Sequence, residues 1–128
     1  MKIIDTVVLI ASFDPQHPLY GTAVKHLQSV VLSDDVYVPS TILLECDLVL
    51  KGRGFSQEER STIFEKLANI IPEDKVLPLV VEILKKAVEM EHETTYFDAL
   101  VAATALKQKA DIISTDHIFP KQGITTIW

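Results

Sequence analysis

"TYFDALVAATALKQKADIISTD", residues 95–116, sets an aspartate, Asp98, at the head of a run of small and apolar residues and a second, Asp116, just past a short apolar run. The first run reads as a helix, with Thr95 placed to cap it. The small side chains of "ALVAATAL" suit close packing against a sheet, which holds the start of that helix firmly. "DIIST" reads as an apolar strand. Both elements are fit for a core, yet each carries a carboxylate at its mouth.

Working outward, the same alternation of strand and helix covers the chain. "KII" is a short strand entering a turn at Asp5–Thr6, and "TVVLIASF" is a short helix. After the connector "DPQHP", the spacing in "LYGTAVKHLQSVVLS" is helical. "DVYVP" is a strand closed by Pro39, and Ser40 is placed to cap the helix "TILLECDLVLKG", which ends in the glycines around Arg53. Ser56 to Glu59, "SQEE", form a capping-box pattern that predicts a helix to about Ile71. "KVLPL" is a short strand or extended entry to the helix "VVEILKKAVEMEH", and "TTIW" is a last strand. Strands separated by helices predict an α/β layered fold with a parallel sheet. The 128 residues fit a single domain, 1–128, with no internal repeat or linker. Ligands of such sheets gather beyond the carboxyl ends of the strands, where Asp5 and Asp116 both fall.

Composition narrows the function classes. Hydrophobic residues make up 48% and charged residues 23%, the balance of a soluble globular chain. No apolar run reaches the roughly eighteen residues of a membrane helix. The apolar start is broken by Asp5 and lacks a small-residue cleavage site, so it is not read as a signal peptide. A single cysteine, Cys46, excludes an intramolecular disulfide and suits a reducing cytoplasm. The net charge of −6 argues against binding nucleic acid by bulk electrostatics. Acids clustered in one place and neutralised by a divalent metal would reverse that local sign.

Each acid has a plain alternative when taken alone. Asp5 reads equally as a helix N-cap, Asp98 as a first-turn acid favoured by the helix dipole, and Asp116 as a turn aspartate. Glu45 interrupts a helix that Ile42, Leu44 and Leu48 mark as mostly buried; its alternative is a solvent-facing strip shared with Thr41. Asp47 lies about 200° round the helix from Glu45 and reads as a surface or salt-bridge residue. Taken together, two acids fall at strand ends and two on helices that can face the same edge. Two like charges about 4 Å apart repel by about 4 kcal/mol at an effective dielectric near 20, so such a cluster calls for a cation. Oxygen ligands without a histidine or cysteine pattern favour a hard ion, Mg²⁺ or Mn²⁺. His17, His26, His92 and His117 show no paired metal spacing and read as surface or locally bonded groups.

The pieces "IIDTVVLIA", "VPSTILLECDLVL", "YFDALVAATAL" and "IISTDHIF" together resemble the PIN domain, the metal-dependent nuclease fold of VapC-type toxins. The resemblance spans nearly the full length. It implies a three-layer α/β/α sandwich with a central, mainly parallel sheet. The family's four acids fall on Asp5, Glu45, Asp98 and Asp116, and its accessory hydroxyls on Thr6 and Ser114. It further implies Mg²⁺- or Mn²⁺-dependent hydrolysis of RNA by an endoribonuclease, an antitoxin protein as partner, and a homodimer. In that scheme Asp5, Asp98 and Asp116 ligate metal. Glu45 ligates through water or positions the attacking water, and Thr6 and Ser114 orient carboxylates or water. The chain departs from the pattern at Ile118, where many members carry a further acid; that bears on a second metal more than on the first.

Two rivals come from other classes. A signalling receiver domain is also doubly wound with an aspartate at a strand end, but here the adjacent acidic pair after the first strand is missing. A PIN-fold scaffold that binds RNA or protein with little or no catalysis is the other. "KGRGFSQEER" supplies Lys51, Arg53 and Arg60 as candidate phosphate contacts or a solvated helix junction, with Arg53 and an exposed Phe55 as candidates for a dimer or antitoxin surface. Cys46 reads as a buried thiol and Trp128 as the seal of a sheet edge.

Overall fold

A computed structural model describes all residues, 1–128. Strands β1 (Lys2–Ile4), β2 (Val36–Pro39), β3 (Val76–Leu77), β4 (Asp111–Ile113) and β5 (Thr126–Ile127) form one sheet in the order β3-β2-β1-β4-β5. Every neighbouring pair is parallel, so every connection is a crossover. The crossovers carry α1 (Thr6–Phe13), α2 (Tyr20–Leu32), α3 (Ser40–Gly52), α4 (Gln57–Ile70), α5 (Val81–Met90), α6 (Tyr96–Gln108) and a short α7 (Ile118–Lys121). No helix is long and apolar enough to cross a membrane.

The central position of β1 follows from its content. Ile3 and Ile4 are fully buried and pair with β4 in the register Ile3–Ile112 and Ile4–Ile113. The chain then turns at Asp5, whose N–H donates to the Ile113 carbonyl at 3.1 Å. That bond places the end of β1 beside the end of β4. α6 is buried on every side from Ala99 to Ala105. Four of those seven residues are alanines, which let the helix be enclosed without forcing its neighbours apart. α4 begins with the capping box read from the sequence: Ser56 Oγ accepts from the Glu59 N–H at 3.1 Å, and Glu59 Oε1 accepts from the Ser56 N–H at 2.9 Å.

Several local expectations are overturned. Ser40 does not cap α3; it is the helix's first residue, and its hydroxyl accepts from the Leu79 N–H at 2.9 Å instead. Leu44 and Leu48 are 62% and 54% exposed, so the buried face of α3 is carried by Ile42, Cys46 and Leu50. Thr41 is buried, which removes the solvent-facing strip it was to share with Glu45. Phe55 is half-buried against the core rather than exposed. α7, built around Phe119, was not foreseen; its four residues are too few for a periodic signal. Asp47 does pair with Arg60, at 2.8 Å, and Trp128 packs on the core with its ring 4.9 Å from that of His26. Cys46 is fully enclosed, and burial pushes its thiol up to about 12.

Candidate active site

The turn after β1 builds the first part of the site. Asp5 is the N-cap of α1, as its plain reading has it: Oδ1 accepts from the Thr6 N–H at 2.8 Å. Its second oxygen does something a cap does not require. Oδ2 accepts from the hydroxyl of Ser114, just past β4, at 2.7 Å. Ser114 Oγ also accepts from the Asp116 N–H at 3.1 Å, so one hydroxyl joins the ends of β1 and β4. Asp116 is exposed and uses Oδ1 to accept from the Ile118 N–H at 2.9 Å, closing the turn into α7. The expected turn role is therefore real, and Ile118, where a further acid was looked for, is the residue that completes that turn.

The two helices bring the other acids. Glu45, half-buried on α3, accepts through Oε1 from the Thr6 hydroxyl. Asp98, at the third position of α6, accepts through Oδ2 from the Thr95 hydroxyl at 2.7 Å. Thr95 occupies the N-cap position but makes no cap bond; its hydroxyl donates to Asp98. Sequence reading treated Thr95 as a cap only; the signal for its second use was the three-residue spacing to an acid across a helix start. Asp5, Glu45 and Asp98 thus each hold one hydroxyl donor, from Ser114, Thr6 and Thr95.

Charge couples the four. Asp5 is 6% exposed, and burial is the main force that pushes its carboxyl up to about 6, opposed by the Ser114 and Thr6 bonds and reinforced by Glu45 and Asp98. Glu45 is raised by burial and by Asp98 and Asp116, against the Thr6 bond. Asp98 is raised by burial and by Asp116, against the Thr95 bond. Three carboxylates held above their ordinary range, at one edge, with no cation from the protein paired to any of them, make an environment that favours a proton or a metal ion. The donor set, carboxylate and hydroxyl oxygen only, fits a hard divalent ion. The side chains are not a ready-made cage: no three His, Cys, Asp or Glu groups are closed on one point. A hard ion can be held at such an edge by one or two carboxylates, with water completing its shell.

The remaining candidates lie elsewhere. His92 pairs with Glu93 on an exposed turn, His17 accepts from the Leu19 N–H, and none of the histidines joins the acids. The largest cavity, about 520 Å³, is away from the acidic edge; Ile10, Phe13, Leu27, Leu50 and Phe55 line it, with Arg53 and Lys66 among its polar groups.

Comparison with known proteins agrees with this architecture. FitAcB from Neisseria gonorrhoeae is similar over 100% of this chain and 97% of its own, with a TM-score of 0.75 and 18% identity. VapC20 of Mycobacterium tuberculosis, a sarcin–ricin loop cleaving toxin, is similar over 98% of this chain and 97% of its own, with a TM-score of 0.72 and 19% identity. VapBC2 from Rickettsia felis, bound to a DNA fragment from its promoter, is similar over 98% and 96%, with a TM-score of 0.71 and 12% identity. At these identities the likeness is one of fold. No curated protein sequence matches the chain. The family model for the PIN domain matches residues 2–124, nearly the whole length, and with the five-stranded parallel sheet and its flanking helices this establishes that the chain belongs to the PIN domain family.

Proposed function

We propose that this chain is a divalent-metal-dependent endoribonuclease of the cytoplasm, hydrolysing RNA phosphodiester bonds as the toxin of a toxin–antitoxin pair. The observation that carries the reading is the gathering of Asp5, Glu45, Asp98 and Asp116, from four separate elements, into one mutually repelling group. Such a group costs the fold stability and returns nothing unless a cation binds there.

Asp5, Asp98 and Asp116 would hold Mg²⁺ or Mn²⁺, and Glu45 would ligate through water or position the attacking water. A bound ion supplies positive charge against the scissile phosphate and eases the loss of a proton from water. The protein's own part is orientation. Asp5 is fixed through both oxygens, by the Thr6 N–H and the Ser114 hydroxyl. Thr6 and Ser114 are thus the groups that aim carboxylates, the kind of support on which metal affinity depends. Without a cation this edge repels an RNA backbone, so affinity for RNA should follow the ion.

Family membership supports the nuclease class, and the likeness to VapC20 supports RNA as the polymer. The likeness to FitAcB and VapBC2 supports an antitoxin partner. The 520 Å³ cavity, apolar with Arg53 and Lys66 beside it, suits an apolar segment with acidic flanks from that partner. A homodimer is proposed with it. Exposed Leu44 and Leu48 on α3, with exposed Leu79 and Val80 in the loop tied to Ser40 and Val81 at the start of α5, support such a contact. Sedimentation giving a monomer at micromolar concentration would count against the dimer.

A second reading, an RNA- or protein-binding scaffold without catalysis, draws on Ile118, where a further acid is missing. One experiment separates the two. Purified protein is incubated with RNA in Mn²⁺, in Mg²⁺ and in chelator, beside Asp98→Asn. Cleavage that needs the ion and is lost in the variant supports the nuclease. Ion-dependent RNA binding with no cleavage by the wild type supports the scaffold.

A further inference from the structure

We infer that Thr41 is a positioning residue for Glu45, supplying the hydroxyl that receives its carboxylate when the acidic edge closes on a divalent cation. This rests on the nuclease reading above. Thr41 is 2% exposed, and its Oγ1 has no hydrogen-bond partner. A buried hydroxyl left unpaired costs free energy that valine, of the same shape, would avoid. The other buried side-chain atoms without partners belong to His26 and Gln122, and neither residue lies on an element that carries one of the four acids. Thr41 does: it sits on α3, four residues before Glu45.

That spacing has a geometric consequence. Residues four apart share a helix face, and side chains lean toward the N-terminus over the preceding turn. The glutamate therefore reaches back over the turn of Thr41. Its Oε1 accepts from the Thr6 hydroxyl. Of the four acids, Glu45 is the one freest to shift onto an ion. Asp5 is held on both oxygens, Asp116 by its own turn, and Asp98 by a threonine three residues away. Glu45 has the longest side chain of the four and a single donor. When it leaves Thr6, Thr41 is the enclosed donor on its own helix face that still lacks an acceptor. The unpaired Thr41 hydroxyl is then the donor for a bond made when an ion is held.

The test uses the full chain with Mn²⁺ as probe: titration calorimetry, and thermal unfolding without cation. Wild type is compared with Thr41→Val and Thr41→Ser, and with Asp5→Asn as the variant lacking a ligand. The expected result is that Thr41→Val unfolds at a Tm no lower than wild type yet binds Mn²⁺ about tenfold more weakly, the lower end of what outer hydrogen-bond partners of metal ligands are worth. Thr41→Ser, which keeps the hydroxyl, should recover the affinity. A lower cation-free Tm in Thr41→Val would mean the hydroxyl already has a partner, and would overturn the inference. So would Mn²⁺ affinity equal to wild type in Thr41→Val; if Asp5→Asn still loses the ion, the nuclease reading stands and only the role of Thr41 falls. A wild type that binds no Mn²⁺ overturns both.

Discussion

Replacing Asp5 by asparagine should make the cation-free protein more stable, by an amount that depends on pH in a defined direction. Burial raises the Asp5 carboxyl from the ordinary aspartate value of 3.8 to about 6. A raised acid binds its proton more tightly in the fold than in the unfolded chain. Its contribution to stability is therefore fully present below about pH 4 and is lost as pH rises through about 6. The difference is about 2, and at about 1.4 kcal/mol per pH unit the ionised carboxylate costs the cation-free fold about 3 kcal/mol at neutral pH. Asparagine matches the protonated acid in shape and can still accept from the Thr6 N–H. Wild type and Asp5→Asn should thus be equally stable near pH 4. By pH 7.5 the variant should be ahead by about 3 kcal/mol, or roughly 10 °C in Tm for a chain of this size. Urea unfolding in chelator at several pH values measures this, and comparing the two proteins cancels most other titrations. Mn²⁺, binding wild type alone, should close the gap; at about 100 times its Kd it returns about 2.7 kcal/mol. Parallel pH profiles for the two proteins, or a wild type that gains on the variant as pH rises, would refute the reasoning.

Other outcomes follow from the same geometry. Asp98→Asn should lower ion-dependent RNA cleavage by more than about a hundredfold, the upper end of outer-shell losses, with Tm at or above wild type because burial and Asp116 already oppose its charge; a purified variant cleaving at the wild-type rate would remove Asp98 from the site. Ser114→Ala takes one donor from Asp5 Oδ2 and one acceptor from the Asp116 N–H, and should cost about 1–3 kcal/mol in urea unfolding. The same variant should raise the Asp5 carboxyl further, which NMR titration of that side chain would detect. Lys109 closes α6 with φ 53°, a left-handed position where glycine is free of steric penalty, so Lys109→Gly should gain about 1 kcal/mol; an unchanged urea midpoint would count against it.

The alternation of strands and helices was legible in the chain because its signals are local. "TVVLIASF" and the capping box at Ser56–Glu59 specify their helices from within a few residues. Family membership was legible too, since the four acids stand in order between recognisable apolar pieces. What failed was the facing of α3. Leu44 and Leu48 carry no mark of exposure, and Thr41 none of burial, because which side of a helix meets the core depends on where the sheet and α6 lie. Ser40 and Thr95 have the composition of caps, yet the hydroxyl of Ser40 went to Leu79, a partner that folding brought within reach, and that of Thr95 to Asp98 in the same turn.

By itself, then, the sequence determined the elements other than α7, their α/β alternation and the identity of the acids, all of which rest on short-range propensity and pattern. Only the tertiary structure decided that Ser114 bridges Asp5 to the end of β4, 109 residues away, that Thr6 reaches Glu45, and that Asp5 is buried deeply enough to be pushed up to about 6. Hydrogen bonds and desolvation act over a few ångströms in space, whatever the distance along the chain. Those relations exist only once the parallel sheet has set the ends of β1 and β4 side by side.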